Sequence, residues 1–401
     1  MGSGWRGSST RNDTPARSYA GRIRVALVHE CIAGWHGSER VLAELASLWP
    51  EAPIYCTAYD PAVVAQSPLR GRDLRPSFVQ RVLGAPGLLG RHRATLPLWP
   101  LAVEQHDLRG YDAVVSSHHA AAHGVLTRAD QTHVSYTHSP ARYAWDLYPE
   151  HVPPRRPAPL KRWTLSRFRR WDHAAAQRVD HFIANSRTVA RRIAKAYRRG
   201  STVIHPPVRP LHGGPPRPAG GREGYVVLGR LVPYKNTMAV VEAFRRSHRR
   251  LTVIGEGPEL ARLRAAADPS TRFITDASDD AAAALVGGCR ALIFAAEEDF
   301  GLVPVEALAA GTPVVALRRG GATESLEEGR SGVFFEEATP GRVAAALDRF
   351  EREGVSLDPA GLVAAADRFA PERFRAAVRG FVEDARAEDL AHGPPAWEPR
   401  R

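Results

Sequence analysis

Short apolar runs alternate with helix-patterned segments along this chain, and the alternation occurs on both sides of one segment rich in proline and glycine. Such alternation predicts parallel β-sheets covered by helices on both faces, so the expected fold class is α/β. The proline- and glycine-rich residues 206–223 lack a hydrophobic period and predict a linker between two lobes. The expected strands are 23–29, 113–115, 132–136 and 181–184 before the linker, and 225–228, 251–254, 273–275, 291–294 and 313–316 after it.

The same pattern divides the chain into two Rossmann-like domains with a cleft between them. Ligands of such folds bind outside the carboxyl ends of the strands, so we expect the functional site in the cleft. The polar ends of the chain are typical of disordered tails. The expected segments are a tail over 1–20, domains over 21–207 and 223–370, a linker over 208–222, an amphipathic helix over 371–390 and a tail over 391–401.

The charge balance of the chain is strongly basic, but it does not identify a partner. The sequence has 55 Lys and Arg residues against 43 Asp and Glu, which gives a formal net charge of +12. Only three of the cations are lysines, so the excess reflects an arginine-rich composition of the kind that G- and C-rich codons produce. Nucleic acid and an anionic membrane surface both stay open as partners at this point.

The sequence lacks the patterns of membrane-spanning and secreted proteins. The longest apolar runs, such as residues 291–296, are too short to cross a bilayer. The first twenty residues are polar and contain arginines, unlike a signal peptide. Three cysteines, Cys31, Cys56 and Cys289, are an odd number without metal-like spacing. These features favour a reducing, cytoplasmic location.

Two cations follow the first strand after the linker. Arg230 lies at the end of that strand, and Lys235 precedes a helix whose expected N-terminal cap is Asn236. A guanidinium can bind two oxygens at once and an ammonium is a compact charge, so the pair suits a diphosphate. A solvated basic loop is the alternative, but one of only three lysines in the chain lies here. We therefore expect Arg230 and Lys235 to bind an anionic ligand.

A short helix after the strand over 291–294 offers a second anion site. Pro304 in its first turn and Gly311 just past its end bracket the helix, so residues 300–303, which include Gly301 and Leu302, form the loop at its N-terminus. The free amide groups and the positive dipole at this end favour an anionic ligand.

Two carboxylates, Glu298 and Glu306, flank this helix N-terminus. Carboxylates would repel phosphate, so their presence beside an anion site makes sense if they bind hydroxyl groups, one on a sugar and one on a ribose. The alternative is that both residues simply favour the helix end electrostatically. That alternative explains Glu306 better than Glu298.

The first lobe contains a similar loop and a group of histidines. Gly34 and Gly37 follow a strand and open a helix, where backbone amides can approach a phosphate closely. His138 ends a strand and is expected to point into the cleft. The chain has no Asp-x-Asp pair and no Cys or carboxylate repeat at ligand spacing, so we expect no metal site. The histidines that make a metal site the alternative are residues 118, 119, 123, 133 and 138.

Two segments combine arginines with apolar residues. One covers residues 155–171 and includes Trp163, Phe168 and Trp171, and the other covers residues 70–93. Basic and aromatic side chains on one helical face indicate contact with a membrane surface. A solvated face with its aromatic residues turned to the core is the equal alternative. The arginines of the second segment are residues 70, 72, 75, 81, 91 and 93.

Taken together, these motifs resemble the retaining glycosyltransferases of family 4, which have the GT-B fold of two Rossmann-like domains. The resemblance covers about residues 21–385, and its most specific part is the run from Glu298 to Glu306, which looks like the Glu-x7-Glu motif of the family. Residues 29–42, 137–146 and 184–190 resemble the branch of mannosyltransferases that extend lipopolysaccharide or exopolysaccharide repeat units.

The resemblance implies roles for the site residues. The first domain would lie on the acceptor side and the second would bind the nucleotide sugar. Family members often have paired glycines in the first-lobe loop, where this chain has His36 before Gly37. The implied contacts are Arg230 and Lys235 with the diphosphate, Glu298 and His138 with the donor sugar, Gly301 and Leu302 with the sugar or phosphates through amides, Glu306 with the ribose, and Gly37 in a phosphate loop.

The implied activity is retaining transfer of a hexose, with mannose from GDP-mannose favoured, to a hydroxyl of a lipid-linked or glycan acceptor in cell-surface polysaccharide synthesis. We expect no cofactor, no metal and no nucleic acid partner, and peripheral contact with the inner face of the cell membrane. A UDP- or ADP-sugar transferase and an epimerase of the same fold are the alternatives, followed by a charge-driven nucleic-acid binding protein. A dehydrogenase is disfavoured because the G-x-G-x-x-G match at residues 2–7 lacks a preceding strand and a following helix.

Overall fold

A computed structural model describes residues 23–83, 95–153, 158–209, 221–245, 247 and 249–392 of the protein. The tail predicted over 1–20 therefore lies outside the described residues, and so does most of the linker predicted over 208–222. Of the tail predicted over 391–401, residues 391 and 392 belong to the last helix and the others are not described.

The first lobe is built on a seven-stranded parallel sheet with the order β3-β2-β1-β4-β5-β6-β7. All eight residues of the first strand are buried, as expected of a strand covered on both faces. The strands are β1 Val25–Ile32, β2 Ile54–Tyr59, β3 Leu74–Pro76, β4 Ala113–His118, β5 Thr132–Thr137, β6 His181–Ala184 and β7 Thr202–Val203.

The second lobe has a six-stranded parallel sheet with the order β10-β9-β8-β11-β12-β13. The predicted α/β class with two Rossmann-like domains is therefore confirmed. Its strands are β8 Tyr225–Leu228, β9 Leu251–Ile254, β10 Arg272–Ile274, β11 Ala291–Phe294, β12 Val314–Leu317 and β13 Gly332–Phe335.

Four strands have no counterpart among the predicted runs, and their sequences explain why. β2 mixes Cys and Thr with two tyrosines, so it lacks the continuous β-branched run of its neighbours. β3 and β7 have three and two residues and lie at the edges of the first sheet, where little apolar surface is needed. β13 begins at a glycine, which favours a turn in a sequence-based prediction.

Helices cover both sheets, and several begin at the expected kind of residue. Ser186 caps α7 by accepting a hydrogen bond from the Val189 amide at 3.1 Å. The helices are α1 Gly37–Leu48, α2 Pro61–Ala65, α3 Val79–Leu83, α4 Trp99–Glu104, α5 Tyr148–His151, α6 Pro159–Ala176, α7 Arg187–Tyr197, α8 Thr237–Arg245, α9 Leu260–Ala266, α10 Asp279–Gly288, α11 Leu302–Ala309, α12 Ala322–Ser325, α13 Pro340–Glu353, α14 Pro359–Ala366 and α15 Pro371–His392.

Asn236 does not have the predicted capping role. It lies directly before α8 but adopts the left-handed conformation, with φ of 54°. Its side-chain amide donates a hydrogen bond to the carbonyl of Ala295 at 3.0 Å, which joins the loops that follow β8 and β11. The residue ties two loops of the second lobe together because an asparagine tolerates this backbone geometry better than most residues.

The last helix returns to the first lobe. Four apolar residues of α15 are buried in the core that covers β1, β2 and α1. Arg375 of the helix binds Glu44 of α1 at 2.6 Å. The chain therefore crosses between the lobes a second time, and the predicted C-terminal helix is part of the first-lobe core. The four buried residues are Phe374, Val378, Val382 and Ala385.

None of the helices in the described ranges combines the length and the apolar composition that are needed to cross a bilayer.

A buried carboxylate organises the carboxyl edge of the first sheet. Glu30 at the end of β1 accepts hydrogen bonds from the four consecutive backbone amides of residues 119–122, at 2.8 to 3.1 Å. Burial alone would raise the pKa of Glu30, but His118 and these hydrogen bonds hold that pKa well below its ordinary value. The loop after β4 is thus wrapped around a carboxylate that is fully withdrawn from solvent.

The histidines of the first lobe form part of a polar core. His118, His123 and Asp172 lie close enough for a shared cation, with candidate ligand atoms within 4.8 Å. Their atoms already bind protein groups: the two Nδ1 atoms lie 2.8 Å apart, and the Nε2 atom of His118 lies 3.2 Å from the hydroxyl of Tyr197. A cation would have to displace these hydrogen bonds, so the hydrogen-bonded network accounts for the cluster.

This buried polar core predicts sensitivity of the first lobe to acid. Burial lowers the pKa of His133 to about 3, whereas an unfolded histidine titrates near 6.5. As the pH falls below about 6.5, the unfolded chain binds a proton that the folded chain does not, so the free energy of unfolding should fall. The His133 contribution approaches about 1.4 kcal/mol per pH unit. We expect His133→Gln to remove this contribution and to flatten the pH dependence.

Tryptophan fluorescence measures this effect chiefly in the first lobe, because six of the eight tryptophans lie there and the chain has none between residues 172 and 396. Urea unfolding at pH 7.5, 6.0 and 5.0 gives the slope for each variant. His36→Gln is the matched control, since His36 is exposed. Equal slopes for His133→Gln and the wild type would contradict the prediction.

Candidate functional site

The carboxyl end of the second sheet brings together residues from two distant segments. β8 and β11 are neighbours in the sheet, but the segments that follow them lead to opposite sides, which leaves a crevice at the sheet edge. The loop after β8 carries Arg230 and Lys235, and the loop after β11 carries Glu298 and Gly301. The predicted cation pair and the predicted helix end therefore share one crevice.

Lys235 and Glu298 form an ion pair in this crevice, with 2.8 Å between Nζ and Oε1. Gly229 makes room for the ammonium: its φ is +137°, and a Cβ atom built there would lie 2.7 Å from Nζ of Lys235. Arg230 is exposed, with Nη2 3.4 Å from the hydroxyl of Tyr234. The crevice thus contains one cation that a carboxylate neutralises and one that is exposed to solvent, an arrangement suited to a strongly anionic ligand.

The N-terminus of α11 lies at the same crevice. Gly301 precedes the helix in the left-handed conformation, with φ of +82°, and a Cβ atom there would lie 3.2 Å from the ring of Phe294. Leu302 and Val303 belong to the helix rather than to the predicted loop over residues 300–303, because the helix begins directly after Gly301. The first amides of a helix have no intrahelical acceptor, so this end can bind an anion.

Glu306 is buried in the middle of α11 and meets a cation from the other lobe. Its Oε1 atom lies 3.0 Å from Nη1 of Arg40 on α1. Burial raises the pKa of Glu306, although the Arg40 guanidinium acts in the opposite direction. A cavity of about 220 Å³ opens beside the pair. Its lining includes Trp35, Arg40, Asp279, Asp280, Leu302 and Glu306.

The predicted phosphate loop of the first lobe contacts α11 directly. A Cβ atom built on Gly37 would lie 3.0 Å from Cδ1 of Leu302. His36 has an extended backbone that any residue can adopt. Its imidazole lies against Gly34, where a Cβ atom would be 2.7 Å from Nε2. The Glu39 carboxylate accepts a hydrogen bond from the His36 amide at 3.0 Å and fixes the loop.

His138 lies on the first-lobe side of the cleft, at the carboxyl end of β5. Its Nε2 atom is 2.9 Å from the hydroxyl of Ser117, and its backbone amide donates to the carbonyl of His118 at 2.8 Å. Burial, together with the neighbouring His119, lowers the pKa of His138 well below its ordinary value. The imidazole is therefore neutral near pH 7, and one ring nitrogen is already engaged with serine.

Several polar residues at the lobe interface were not singled out from the sequence. Arg40 binds Glu306, and Asp299 pairs with Arg142 and Arg192 of the first lobe. Arg40, Arg142 and Asp299 all lie within segments that the family resemblance had already identified, residues 29–42, 137–146 and 298–306. Their partners lie more than one hundred positions away, and only a signal of spatial contact between the motifs could have paired them.

The two arginine-rich segments differ in their surroundings. In the segment over 70–93, Arg72 donates three hydrogen bonds to backbone carbonyls of the first lobe, and Arg75 pairs with Asp73 at 2.8 Å. Arg91 and Arg93 lie outside the described residues. In α6, Phe168 is buried, whereas Trp163 is 59% exposed. In the segment over 70–93, Arg72 and Arg75 are therefore engaged by groups of their own lobe, whereas α6 keeps an exposed aromatic residue.

Comparison with known proteins assigns both lobes to glycosyltransferase families. Residues 35–210 match the family described as Glycosyltransferase Family 4, and residues 216–360 match Glycosyl transferases group 1. D-inositol 3-phosphate glycosyltransferase of Acidothermus cellulolyticus is 40% identical over 92 residues, 23% of this chain and 20% of that protein. Human alpha-1,3/1,6-mannosyltransferase ALG2 is 30% identical over 114 residues, 27% of each chain. The chain thus spans about a fifth to a quarter of these relatives' lengths.

Solved structures show the same fold over most of the chain. HepE of Anabaena, in complex with UDP-glucose, superposes with a TM-score of 0.66 at 17% identity and covers 90% of this chain and 100% of its own. The lipopolysaccharide outer core galactosyltransferase WaaB, in its apo form, superposes with a TM-score of 0.62 at 14% identity, over 90% and 99% of the two chains. The two lobes therefore have the GT-B arrangement.

Gly321 packs so closely against the loop over 298–301 that we expect only glycine to fit at this position. A Cβ atom on Gly321 would lie 2.2 Å from Cα of Phe300, although the backbone of Gly321 is open to any residue. We expect Gly321→Ala to displace the loop and to lower the free energy of unfolding by about 1–3 kcal/mol, as overpacking does. Differential scanning calorimetry measures the change.

Gly341→Ala is the matched control in the same lobe, because Gly341 lies in α13 with open space around a Cβ atom. Alanine should be neutral or stabilising by up to about 1 kcal/mol at that helical position. A Gly321→Ala variant as stable as the Gly341→Ala variant would contradict the predicted close approach.

Proposed function

Because both lobes match glycosyltransferase families, we propose that the chain is a family 4 glycosyltransferase, which transfers a hexose from a nucleotide diphosphate sugar to an acceptor hydroxyl with retention of configuration. The observation that carries the proposal is the Lys235–Glu298 ion pair, which joins the loop of the exposed Arg230 to the loop that precedes α11. These groups offer positive charge for a diphosphate and a carboxylate for hydroxyl groups within one crevice.

Binding of the donor would exchange the partners of this ion pair. Lys235 and Arg230 would bind the diphosphate, and Glu298 would then accept hydrogen bonds from hydroxyls of the donor sugar. Amides of Gly301 and Leu302 would face the sugar or the phosphates, and Gly37 would supply the phosphate loop from the other lobe. The exchange is favourable because the diphosphate carries more negative charge than one carboxylate.

The leaving diphosphate gains negative charge as the glycosidic bond breaks. The cations and the helix-end amides are already aligned there, and each well-placed donor of this kind is worth about 3 kcal/mol in the transition state. We propose that these groups replace a metal ion, since the sequence has no Asp-x-Asp pair. The acceptor hydroxyl would attack from the same face as the leaving group, beside the neutral imidazole of His138, and its proton would pass to an oxygen of the departing diphosphate.

Glu306 would hold the ribose of the donor. Its Oε1 atom binds Arg40, and the carboxylate borders the 220 Å³ cavity. A second carboxylate oxygen is available for ribose hydroxyls without loss of the Arg40 contact. The pair would therefore place the nucleoside between the two lobes.

The proposed donor is GDP-mannose, supported by the mannosyltransferase-like motifs of the first lobe and by the similarity to a human mannosyltransferase. A UDP-sugar is the specific alternative, because HepE was solved with UDP-glucose. The proposed acceptor is a lipid-linked or glycan hydroxyl in cell-surface polysaccharide synthesis.

A lipid-linked acceptor agrees with an exposed face of α6. Leu160, Trp163, Arg167 and Arg170 recur at spacings of three and four residues, so they share one side of the helix. Leu160 is 74% and Trp163 59% exposed, and the Arg167 guanidinium lies 5.8 Å from the Trp163 ring. Apolar and cationic side chains on one face suit the headgroup region of an anionic membrane. We propose that this face holds the protein at the cytoplasmic side of the membrane.

Nucleotide binding tests the donor site. In a thermal-shift panel of GDP, UDP, ADP and TDP, we expect GDP to raise the melting temperature most, because a ligand stabilises the folded state it binds. Arg230→Ala and Glu306→Ala should each reduce the GDP-induced shift by at least half. Arg250→Ala is the matched control, since Arg250 pairs with Glu223 on an exposed surface.

A GDP shift that stays unchanged in both site variants would refute the proposed site, and a larger shift with UDP would assign the UDP-sugar alternative.

Transfer assays in EDTA test metal independence, because a loss of turnover that added Mn²⁺ restores would overturn it. Conversion of the nucleotide sugar without an acceptor would indicate an epimerase.

Vesicle sedimentation tests the α6 face. We expect the protein to bind vesicles with anionic lipid at low salt and to be released at high salt, because salt screens exposed charges. The double variant Leu160→Gln/Trp163→Gln should lower the bound fraction several-fold. Leu390→Gln is the control, since Leu390 is a 50% exposed leucine on another helix. Equal binding of the double variant and the control would contradict the proposed membrane face.

A further inference from the structure

Asp299 belongs to the second lobe, but its carboxylate binds the first lobe. It pairs with Arg192 of α7 and lies 3.3 Å from Nη1 of Arg142, in the loop after β5. Asp146 binds the same two arginines, with 3.2 Å to the Nε atom of each. The four side chains form a closed ring of alternating charges, and both arginine side chains are less than one-fifth exposed.

The backbone around Asp299 is held by the first lobe as well. The hydroxyl of Ser186 donates a hydrogen bond to the carbonyl of Asp299 at 2.6 Å, and Oγ of Ser186 also accepts a hydrogen bond from the Val189 amide. The next amides of α7, those of Arg187 and Thr188, donate to the carboxylate of Glu324 at 2.8 and 3.1 Å. The N-terminus of α7 therefore docks on the second lobe at two adjacent points.

The opposite side of the loop rests on its own lobe. The Gly321 amide donates to the carbonyl of Glu298 at 3.0 Å, and a Cβ atom on Gly320 would lie 2.2 Å from that carbonyl oxygen. The loop is thus held on one side by Gly320 and Gly321 of its own lobe and on the other side by polar groups of the first lobe. It can move only if one of these two contacts moves.

Adjacent residues of this loop bind different lobes. Glu298 binds Lys235 of its own lobe, and Asp299 binds the arginines of the other. From this juxtaposition we infer that Asp299 is a positioning residue, which couples the closed arrangement of the lobes to the placement of Glu298 beside the donor sugar. The expected effect of Asp299 on turnover rests on the proposed function, whereas its expected effect on how the two lobes are held together does not.

Removal of the Asp299 charge should release the coupling without removing a donor-binding group. We expect Asp299→Asn to lower kcat about 10- to 100-fold, since small displacements of positioned groups have effects of this size. Donor affinity should change less than about threefold, because Arg230, Lys235 and Glu306 are intact. Asp299→Glu, which keeps the charge, should recover at least part of kcat. Asp107→Asn is the matched control, since Asp107 pairs with Arg109 on an exposed surface of the first lobe.

A double-variant cycle separates coupling from general damage. If Asp299 acts through Arg192, the double variant Asp299→Asn/Arg192→Gln should lose no more kcat than the more impaired single variant, because residues that act as a unit are non-additive. Multiplied losses would overturn the inference. So would a kcat for Asp299→Asn equal to that of the Asp107→Asn control.

Small-angle X-ray scattering of the ligand-free protein tests the same inference without any assay of transfer. We expect a larger radius of gyration for Asp299→Asn than for the wild type and for Asp107→Asn, because the lobes lose a contact. An unchanged radius would overturn the coupling. If the wild type transfers no sugar and binds no nucleotide while Asp299→Asn still expands, the proposed function fails and the coupling of the lobes stands.

Discussion

Carboxylates of the second lobe that are partnered by the first lobe determine how this molecule is assembled around its cleft. A carboxylate withdrawn from water without a partner is strongly unfavourable, so the lobes are held in the register that supplies those partners. The proposed sugar and nucleoside contacts lie on the same helix and loop as these carboxylates. The pairs are Glu306 with Arg40, Asp299 with Arg142 and Arg192, and Glu324 with the amides of residues 187 and 188.

Close backbone approach gives the second lobe its rigid crevice. Cβ atoms on Gly255 and Gly257 would lie 2.0 and 2.2 Å from carbonyl oxygens of the loop after β8, and Gly320 approaches Glu298 in the same way. Loops packed at this distance cannot shift independently. The first lobe reaches a comparable result by other means, since the Glu30 carboxylate gathers four consecutive amides of the loop after β4.

The sequence predicted the location of the site better than its contacts. Residue chemistry predicted an anion for Arg230 and Lys235 and hydroxyl groups for Glu298, and only the family resemblance implied one shared donor. The fold brings the two loops into one crevice. The predicted loop over residues 300–303 was two residues too long, because the left-handed conformation of Gly301 allows the helix to begin at Leu302. The Asn236 cap was wrong because its amide binds a carbonyl of a neighbouring loop instead.

The order of apolar runs, glycines and prolines by itself determined two parallel-sheet lobes, because burial on both faces imposes a local pattern that can be read along the chain. The partners of individual charges were decided only by the tertiary structure. Arg40 meets Glu306, and α15 returns to the core of the first lobe, through contacts between residues hundreds of positions apart. Electrostatic pairing depends on distance in space. The spacing of residues along the sequence predicts that distance only within a single strand, loop or helix.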